Sequence, residues 1–307
     1  MMTSFFDKTK PINYVVVLSL VVLVYVAMVI ATPNGQITIS IATAKMTGLL
    51  FLVLTFFVIN PTLKADKLAD IHSYALLCYG LFVVSFIKVF YDIEIVLSNF
   101  LILLSIDKTL ALKFEKNTTN KIFEASCFVF ASSLFVDWTL LFLAPIYFAV
   151  NTYSRGQLRN WLMPIASFVV FLLCILGYMA LFDDWNLFSR NYSFQLIQRF
   201  VFSGYLGVLV FLLFGAVVAI MVFLKLGSRG LGRNLSLRIL LLYLVLGVLL
   251  IFLTPELGVR AVVYTFFPVA VFTTNYFETI RKKKFKEASL IFIMLLALIS
   301  VFFQLYQ

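Results

Sequence analysis

The stretch IFEASCFVFASSLFVDWTLLFLAPIYFAV, residues 122–150, decides how many times this chain crosses a membrane. It contains only two charged residues, Glu124 and Asp137, in an apolar run of 29 residues. A membrane-spanning helix needs about 20 apolar residues, so the stretch is long for one span and short for two. Either it forms one long helix, or it turns back at Asp137 and Trp138 and forms two short ones.

The composition is typical of a chain that lies almost entirely in a membrane. Hydrophobic residues make up 63% of the 307 residues and charged residues 12%, and the mean hydropathy is +1.06. Soluble domains contain about 45–50% apolar and roughly 25% charged residues. We therefore predict an all-α polytopic membrane helix bundle. Residues 1–307 form a single integral membrane domain, and the apolar N-terminal segment is retained as the first span.

Counting the 122–150 stretch as two passes predicts eleven membrane helices. Two pairs of them, 73–106 and 122–150, form re-folded hairpins with legs too short for a hydrocarbon core of about 30 Å. The loop 107–121 is expected to hold a surface helix whose Leu110, Leu112 and Phe114 dip into the membrane interface. The predicted spans are 12–31, 44–61, 73–91, 94–106, 122–135, 138–150, 161–182, 200–224, 239–253, 261–277 and 288–304.

The distribution of basic residues favours the two-pass interpretation. With two passes and a cytoplasmic N-terminus, nineteen of the 24 lysines and arginines lie in cytoplasmic loops and five lie on the other side. Cytoplasmic loops carry an excess of Lys and Arg. With a single pass, every loop after residue 150 changes side and this asymmetry is lost. We therefore predict that the N-terminus is inside and the C-terminus outside.

Several function classes are disfavoured by the residues that the chain lacks. A single histidine, His72, excludes a multi-histidine metal site, and we predict no metal and no cofactor. The net charge of +10 is concentrated in loops beside the spans, which indicates contact with membrane lipids and no nucleic-acid partner. No Asp, Glu, Lys or Arg lies at the middle of a span, which argues against an ion-coupled transporter.

The predicted outer face holds the candidate site residues. Asp92 and Glu94 lie two residues apart at a bend and are candidates for a catalytic general base, or they are hydrophilic residues that mark a loop. Lys88, Arg190 and Arg199 are candidates for binding a lipid phosphate. Alternatively, Lys88 extends to the outer surface or pairs with Asp92, and the two arginines anchor the interface.

Four segments carry a resemblance to a bacterial family of multi-pass inner-membrane proteins whose activity is uncharacterised. They are TSFFDKTKPINY at 3–14, LSNFLILLSIDKTLAL at 97–112, KIFEASCFVFASSLF at 121–135 and RNWLMPIASF at 159–168. The resemblance extends over essentially the whole chain. It implies a location in the bacterial inner membrane.

Residues 73–182 also resemble, in architecture, the middle of the GT-C membrane glycosyltransferases. In this part of the chain a basic loop separates two short helical hairpins, and RNWL follows the second. The resemblance implies a polyprenyl-linked substrate at the outer face. That class usually has a catalytic acid in its first outer loop, whereas ATPNGQITISIATAK, residues 31–45, has none. Either Asp92 or Glu94 then takes this role, or the chain has no transferase activity.

Three functional hypotheses follow for this membrane protein. The first is a GT-C-like protein that handles a polyprenyl-linked glycan or lipid at the outer face, with a polyprenyl-phosphate lipid as its partner. The second is a non-catalytic membrane subunit of a larger envelope complex, with other membrane proteins as partners. The third is a transporter or flippase for an amphipathic solute, which ranks last because its spans lack ionisable residues at their centres.

Overall fold

All regular structure in the described part of the chain is helical, which confirms the predicted all-α class. The computed structural model describes residues 11–31, 39–65, 73–186, 188, 191, 192, 194, 206–225, 231–254, 258–280 and 282–306. The α-helices in these residues are α1 Pro11–Ala31, α2 Ile39–Ala65, α3 Tyr74–Ser85, α4 Ile93–Leu110, α5 Thr118–Ser133, α6 Leu143–Tyr153, α7 Leu158–Phe182, α8 Leu206–Leu224, α9 Leu231–Leu253, α10 Val263–Thr279 and α11 Lys283–Tyr306. Short 3-10 helices occupy Ile87–Tyr91, Ala111–Phe114, Asp137–Phe142 and Gly258–Val262.

Six of the described helical segments are long and apolar enough to cross a membrane, which indicates a membrane protein. They are Pro11–Ala31, Ala42–Leu63, Ile93–Phe114, Leu158–Phe182, Leu206–Leu224 and Arg233–Leu253. The helix α3 is apolar but has only 12 residues. It is followed by the 3-10 helix Ile87–Tyr91, so the predicted span 73–91 is two helical segments.

One predicted short leg is wrong, and so is the predicted surface helix after it. The segment 94–106 is part of α4, which continues to Leu110 and into a 3-10 helix that ends at Phe114. Leu110 and Leu112 are buried inside the protein and do not lie at a membrane interface, whereas Phe114 is 44% exposed. Helix α4 continues past the charged residues Asp107 and Lys108, and the Thr109 hydroxyl donates to the carbonyl of Ser105 in the same helix.

The helices form two compact units, which are described separately. Unit 1 comprises Met1–Val96, Gly207–Arg229 and Thr265–Gln307, and unit 2 comprises Leu97–Leu206 and Gly230–Tyr264. Unit 1 therefore contains α1, α2, α3, α8 and α11 with most of α10. Unit 2 contains most of α4, followed by α5, α6, α7 and α9.

In unit 1, the odd-numbered helices run in one direction and the even-numbered helices in the other. The α1–α2 contacts are antiparallel, because Tyr14 packs against Phe57 and Tyr25 reaches Lys45. The remaining directions follow from ring contacts and hydrogen bonds. Helix α3 is parallel to α1, through Asn13–Ser73, and to α11, through Tyr74–Lys286 and Ser85–Ser300. It is antiparallel to α10, through Tyr74–Phe277 and Phe82–Phe266. Helix α8 is parallel to α10, through Phe211–Phe266 and Phe223–Phe272.

These directions bear on the stretch 122–150. Helices α3 and α8 run in opposite directions. If the chain reverses direction at every connection between consecutive helices, the number of connections between α3 and α8 must be odd. Two passes in 122–150 make five connections between α3 and α8, whereas one pass would make four. The packing of unit 1 alone therefore agrees with the two-pass interpretation.

Unit 2 contains the reversal itself. Helices α5 and α7 are parallel neighbours, because Thr119 donates to Asn160 near their starts and Phe130 packs against Phe168 and Phe171 further along. Because α5 and α7 begin at the same end of unit 2, the chain between them must run back to that end. Helix α5 ends at Ser133, the 3-10 helix Asp137–Phe142 makes the turn, and α6 runs back. The predicted reversal within 122–150 is confirmed.

Both legs of this hairpin are short, as predicted. At about 1.5 Å per residue, the 16 residues of α5 and the 11 residues of α6 span about 24 Å and about 16 Å. Neither leg reaches across a hydrocarbon core of about 30 Å. The legs are covered by neighbouring helices instead, and Ile122, Val129, Ile146 and Val150 are completely buried.

Buried hydroxyl groups connect the helices of unit 2. The Ser98 hydroxyl lies 2.7 Å from the hydroxyls of both Ser132 and Tyr264, and Thr109 lies 3.2 Å from the hydroxyl of Tyr243. In a membrane, where apolar burial does not drive helix association, such hydrogen bonds and close packing do. These hydroxyls therefore hold α4 against α5, α9 and the start of α10.

Asp137 fixes the turn of the hairpin. Its Oδ1 accepts a hydrogen bond from the backbone N–H of Trp138 and its Oδ2 accepts one from the backbone N–H of Phe194, both at 2.7 Å. The Trp138 ring packs edge-on against Phe194. One carboxylate thus joins the reversal to a segment that lies 57 residues further along the chain.

We expect Asp137→Asn to lower the unfolding free energy by about 2 kcal/mol, the value of a hydrogen bond to a charged group. The amide keeps one oxygen acceptor but places an NH₂ group against the other backbone N–H. Asp183→Asn is the matched control, because Asp183 accepts only an exposed hydrogen bond from Trp185 among those described for it. Thermal unfolding in detergent measures the stability of both variants. Equal stability of Asp137→Asn and Asp183→Asn would contradict the stabilising role of the two Asp137 hydrogen bonds.

Candidate functional site

Three of the predicted site residues lie at one end of unit 1, where α3 continues into α4. Lys88 lies in the 3-10 helix Ile87–Tyr91, Asp92 follows it, and Glu94 lies in the first turn of α4. The side chains of Lys88 and Asp92 are partly exposed and that of Glu94 is exposed. The structure thus brings a cation and two carboxylates into one stretch of seven residues.

Asp92 is the N-cap of α4. Its backbone is extended, with φ −85° and ψ 107°, and its Oδ1 accepts a hydrogen bond from the N–H of Glu94 at 3.1 Å. The Glu94 carboxylate lies in the first helical turn, where the helix dipole favours negative charge. Both acids therefore help α4 to begin at Ile93. Their catalytic role stays a prediction.

Lys45 and Tyr91 belong to the same end of unit 1 and were not among the predicted site residues. The Lys45 ammonium group lies over the Tyr91 ring, 5.1 Å from its centroid. A 3-10 helix has three residues per turn, so the side chains of Lys88 and Tyr91 lie on one face of it. Lys45 from α2 thus lies over the Tyr91 ring, and Lys88 lies one turn before Tyr91 on the same face of the 3-10 helix.

Tyr25 holds this arrangement together. Its hydroxyl donates a 3.0 Å hydrogen bond to the carbonyl of Lys45 and lies 3.5 Å from the carbonyl of Phe90. The rings of Tyr25 and Tyr91 pack edge to face. One buried side chain of α1 thus sets the position of α2 relative to the end of the 3-10 helix. The Tyr91 hydroxyl is also buried, and none of the described residues accepts or donates a hydrogen bond to it.

Two of the predicted phosphate-binding residues, Arg190 and Arg199, lie outside the described residues. Their proposed roles stay predictions. A sequence pattern could not have found Lys45, because residues 45 and 91 are far apart in the chain and their contact is made between helices. Tyr91 could have been considered, because it directly precedes Asp92.

The other predicted outer acids belong to unit 2. Asp137 accepts the two backbone hydrogen bonds described above, and Asp183 accepts a 2.9 Å hydrogen bond from the indole N–H of Trp185. Beside Asp137, the Tyr192 hydroxyl lies 2.9 Å from that of Ser133. Burial is the main cause of a raised pKa of Tyr192; the Asp137 charge raises it further and the Ser133 hydrogen bond opposes the rise. The phenol therefore stays neutral at physiological pH.

In each unit, most of the described basic residues lie at one end. In unit 1, Lys225, Lys282, Lys284 and Lys286 lie at the end opposite to Lys88 and Asp92, beside the start of α3 and the end of α10. In unit 2, the lysines and arginines of residues 108–121 and 155–159 lie around the starts of α5 and α7, whereas Asp137 and Asp183 lie at the far ends of α5 and α7 and Arg260 lies just before α10.

Among the described residues, no group of three or more His, Cys, Asp and Glu side chains is close enough together to hold a metal ion. No protein-family model, curated protein or solved structure matches this chain. The resemblances noted in the sequence therefore stay predictions, and the functional argument depends on the chain's own residues.

Proposed function

We propose that this chain is a bacterial inner-membrane protein with eleven passes and a cytoplasmic N-terminus. Two observations support the proposal. The helix directions in unit 1 agree with five reversals between α3 and α8. In each unit taken by itself, most of the described basic residues lie at one end, as expected for the cytoplasmic end of a membrane protein. Lys88, Asp92 and Glu94 then lie on the outer side.

At this outer end, we propose, the protein binds a phosphate-bearing lipid of the polyprenyl type. The observation that carries this proposal is the placement of Lys45 over the Tyr91 ring, with Lys88 one turn before Tyr91 on the same face of the 3-10 helix. A lysine ammonium group is a compact point charge suited to a phosphate.

The same end offers a base for glycosyl transfer. A carboxylate of Asp92 or Glu94 takes the proton from an acceptor hydroxyl while the hydroxyl oxygen bonds to the anomeric carbon of the lipid-linked sugar. The bond between this carbon and the phosphate oxygen breaks, and polyprenyl phosphate leaves. Lys88, with Lys45, stabilises the charge that develops on the departing phosphate.

A non-catalytic subunit of an envelope complex is the second candidate function, and one observation favours it. The Oδ1 of Asp92 is already engaged as the N-cap of α4. If capping is its whole function, the lysines hold a lipid without chemistry, and the missing acid in the loop 31–45 agrees with this.

Substitutions at Lys88 and Asp92 separate lipid binding, catalysis and capping. With the purified full-length protein in detergent, we expect Lys88→Gln to weaken binding of a polyprenyl phosphate about tenfold, as for the loss of a charge-assisted hydrogen bond. Asp92→Asn keeps an N-cap oxygen, because Asn and Asp cap equally well, but it removes the base. We expect it to preserve thermal stability and lipid binding and to lower sugar transfer at least about a hundredfold.

The controls distinguish the two candidate functions. Lys282→Gln removes one exposed charge at the opposite end of unit 1 and is expected to leave binding unchanged. Polyprenol, which lacks the phosphate, is expected to bind equally to wild type and Lys88→Gln. Normal transfer in both Asp92→Asn and Glu94→Gln would refute the catalytic proposal. Equal binding of polyprenol and polyprenyl phosphate to the wild type would refute the lipid-phosphate site itself.

A further inference from the structure

A rigid basic loop joins α4 to α5 at the end of unit 2 opposite to Asp137. Its 3-10 helix Ala111–Phe114 is followed by two residues with left-handed backbone, Glu115 at φ 53° and Asn117 at φ 52°. Leu112 is buried below the loop. The Lys121 ammonium group donates a 2.8 Å hydrogen bond to the carbonyl of Ala111 across the loop. These contacts fix the loop to the helices on both sides.

Two lysine side chains lie beside the exposed ring of Phe114 in this loop. The ammonium nitrogens of Lys113 and Lys121 lie 4.9 Å and 6.0 Å from the centroid of the Phe114 ring, and this side chain is 44% exposed. Lys108 forms an ion pair with Glu124 at 2.9 Å. Between the two left-handed residues lies a further exposed lysine, Lys116.

The start of α7 lies beside this loop and adds both charge and apolar surface. The 3.0 Å hydrogen bond from Thr119 to Asn160 joins the first turns of α5 and α7. Arg155 and Arg159 are exposed next to it. Between and after them, Leu158 is 80% exposed and Leu162 is 58% exposed. An aliphatic strip therefore leads away from the cations along α7.

We infer that this end of unit 2 binds the headgroup of an anionic phospholipid. These segments contain six basic residues and three acidic ones. The basic residues are Lys108, Lys113, Lys116, Lys121, Arg155 and Arg159, and the acidic residues are Asp107, Glu115 and Glu124. The phosphate lies among Lys113, Lys116 and Arg159, and the acyl chains follow the exposed leucines of α7. Phe114 and Leu158 fit the boundary between headgroups and acyl chains, where apolar side chains next to basic ones bind anionic membranes. This site is independent of the proposed outer function.

Native mass spectrometry of the full-length protein in detergent, titrated with phosphatidylglycerol and phosphatidylcholine, tests this inference. We expect the wild type to prefer phosphatidylglycerol. Lys113→Gln/Lys116→Gln is expected to bind phosphatidylglycerol about thirtyfold more weakly, at about fivefold for each basic residue near an anionic headgroup. Its affinity for phosphatidylcholine should not change. Both lysines are surface residues, so thermal unfolding should match that of the wild type.

Lys282→Gln/Lys284→Gln is the matched control, because it also removes two lysine charges, at the basic end of unit 1. We expect it to retain at least most of the wild-type affinity. An equal loss in both variants would overturn the site in favour of non-specific attraction by net charge. Glycerol phosphate added at the same concentration should not compete, and full competition would show a free-anion site and overturn the lipid assignment. Arg155→Gln/Arg159→Gln should reproduce the loss, and an unchanged affinity in this second variant would also contradict the site.

Discussion

Gly80→Leu is expected to prevent unit 1 from packing and to give a protein that aggregates or unfolds at a much lower temperature than the wild type. Gly80 lies in α3 where this helix crosses α1. A Cβ atom at this position would lie 2.6 Å from Cγ1 of Val17, 3.5 Å from Cγ2 of Val21 and 3.7 Å from a ring carbon of Phe56. A leucine adds three further carbon atoms to the same space.

The expected loss is at least about 3 kcal/mol, the upper part of the usual range for overpacking in a core, because the neighbours cannot move away. Val17 is β-branched and stiff, and α3 is buried on every side, with Tyr74 to Val84 all buried. Small residues at membrane helix crossings allow the backbones to approach closely, and Gly80 has this function between α1 and α3.

Gly177→Leu is the matched control, because no heavy atom outside its own helix backbone and chain neighbours lies within 4 Å of an added Cβ there. The measurement is the fraction of monodisperse protein that remains after heating, by size-exclusion chromatography. A milder pair adds specificity: Gly80→Ala should be destabilised, and Val17→Ala in the same chain should restore much of the loss. Equal stability of the two leucine variants would refute the close α1–α3 contact.

A cysteine at Gly156 is expected to be protected from a membrane-impermeant maleimide in intact cells, and a cysteine at Trp185 is expected to be labelled. Gly156 lies in the exposed turn between α6 and α7, and an added Cβ there meets no heavy atom within 4 Å. Trp185 is 60% exposed just after the end of α7. If α7 spans the membrane with its start inside, the cysteine at 185 is labelled in intact cells and the cysteine at 156 is not.

The controls use the native cysteines and permeabilised cells. Cys78 is buried and Cys127 and Cys174 lie within helices of the predicted spans, so the unmodified chain should give no labelling by a water-soluble reagent. After permeabilisation, both introduced cysteines should react. Labelling of Gly156→Cys in intact cells would contradict the proposed orientation of α7 in the membrane.

The candidate site could be predicted only in part. The sequence pattern indicated Lys88, Asp92 and Glu94, because charged residues stand out at a bend between apolar runs. It did not indicate Lys45, whose contact with Tyr91 depends on how α2 packs against the end of the 3-10 helix. It also did not show that Asp92 caps α4, because a cap is defined by backbone direction at one residue.

The sequence by itself determined the helical class, the approximate positions of most α-helices in the described residues and the reversal within 122–150. Apolar length and the placement of charges act on each segment locally, so they can be evaluated before any packing is known. Only the tertiary structure decided where α4 ends, that Leu110 and Leu112 are covered by protein and not by lipid, and which side chains meet at the end of unit 1. An apolar side chain has the same hydropathy in lipid and in a protein core, so only its neighbours in the fold distinguish the two.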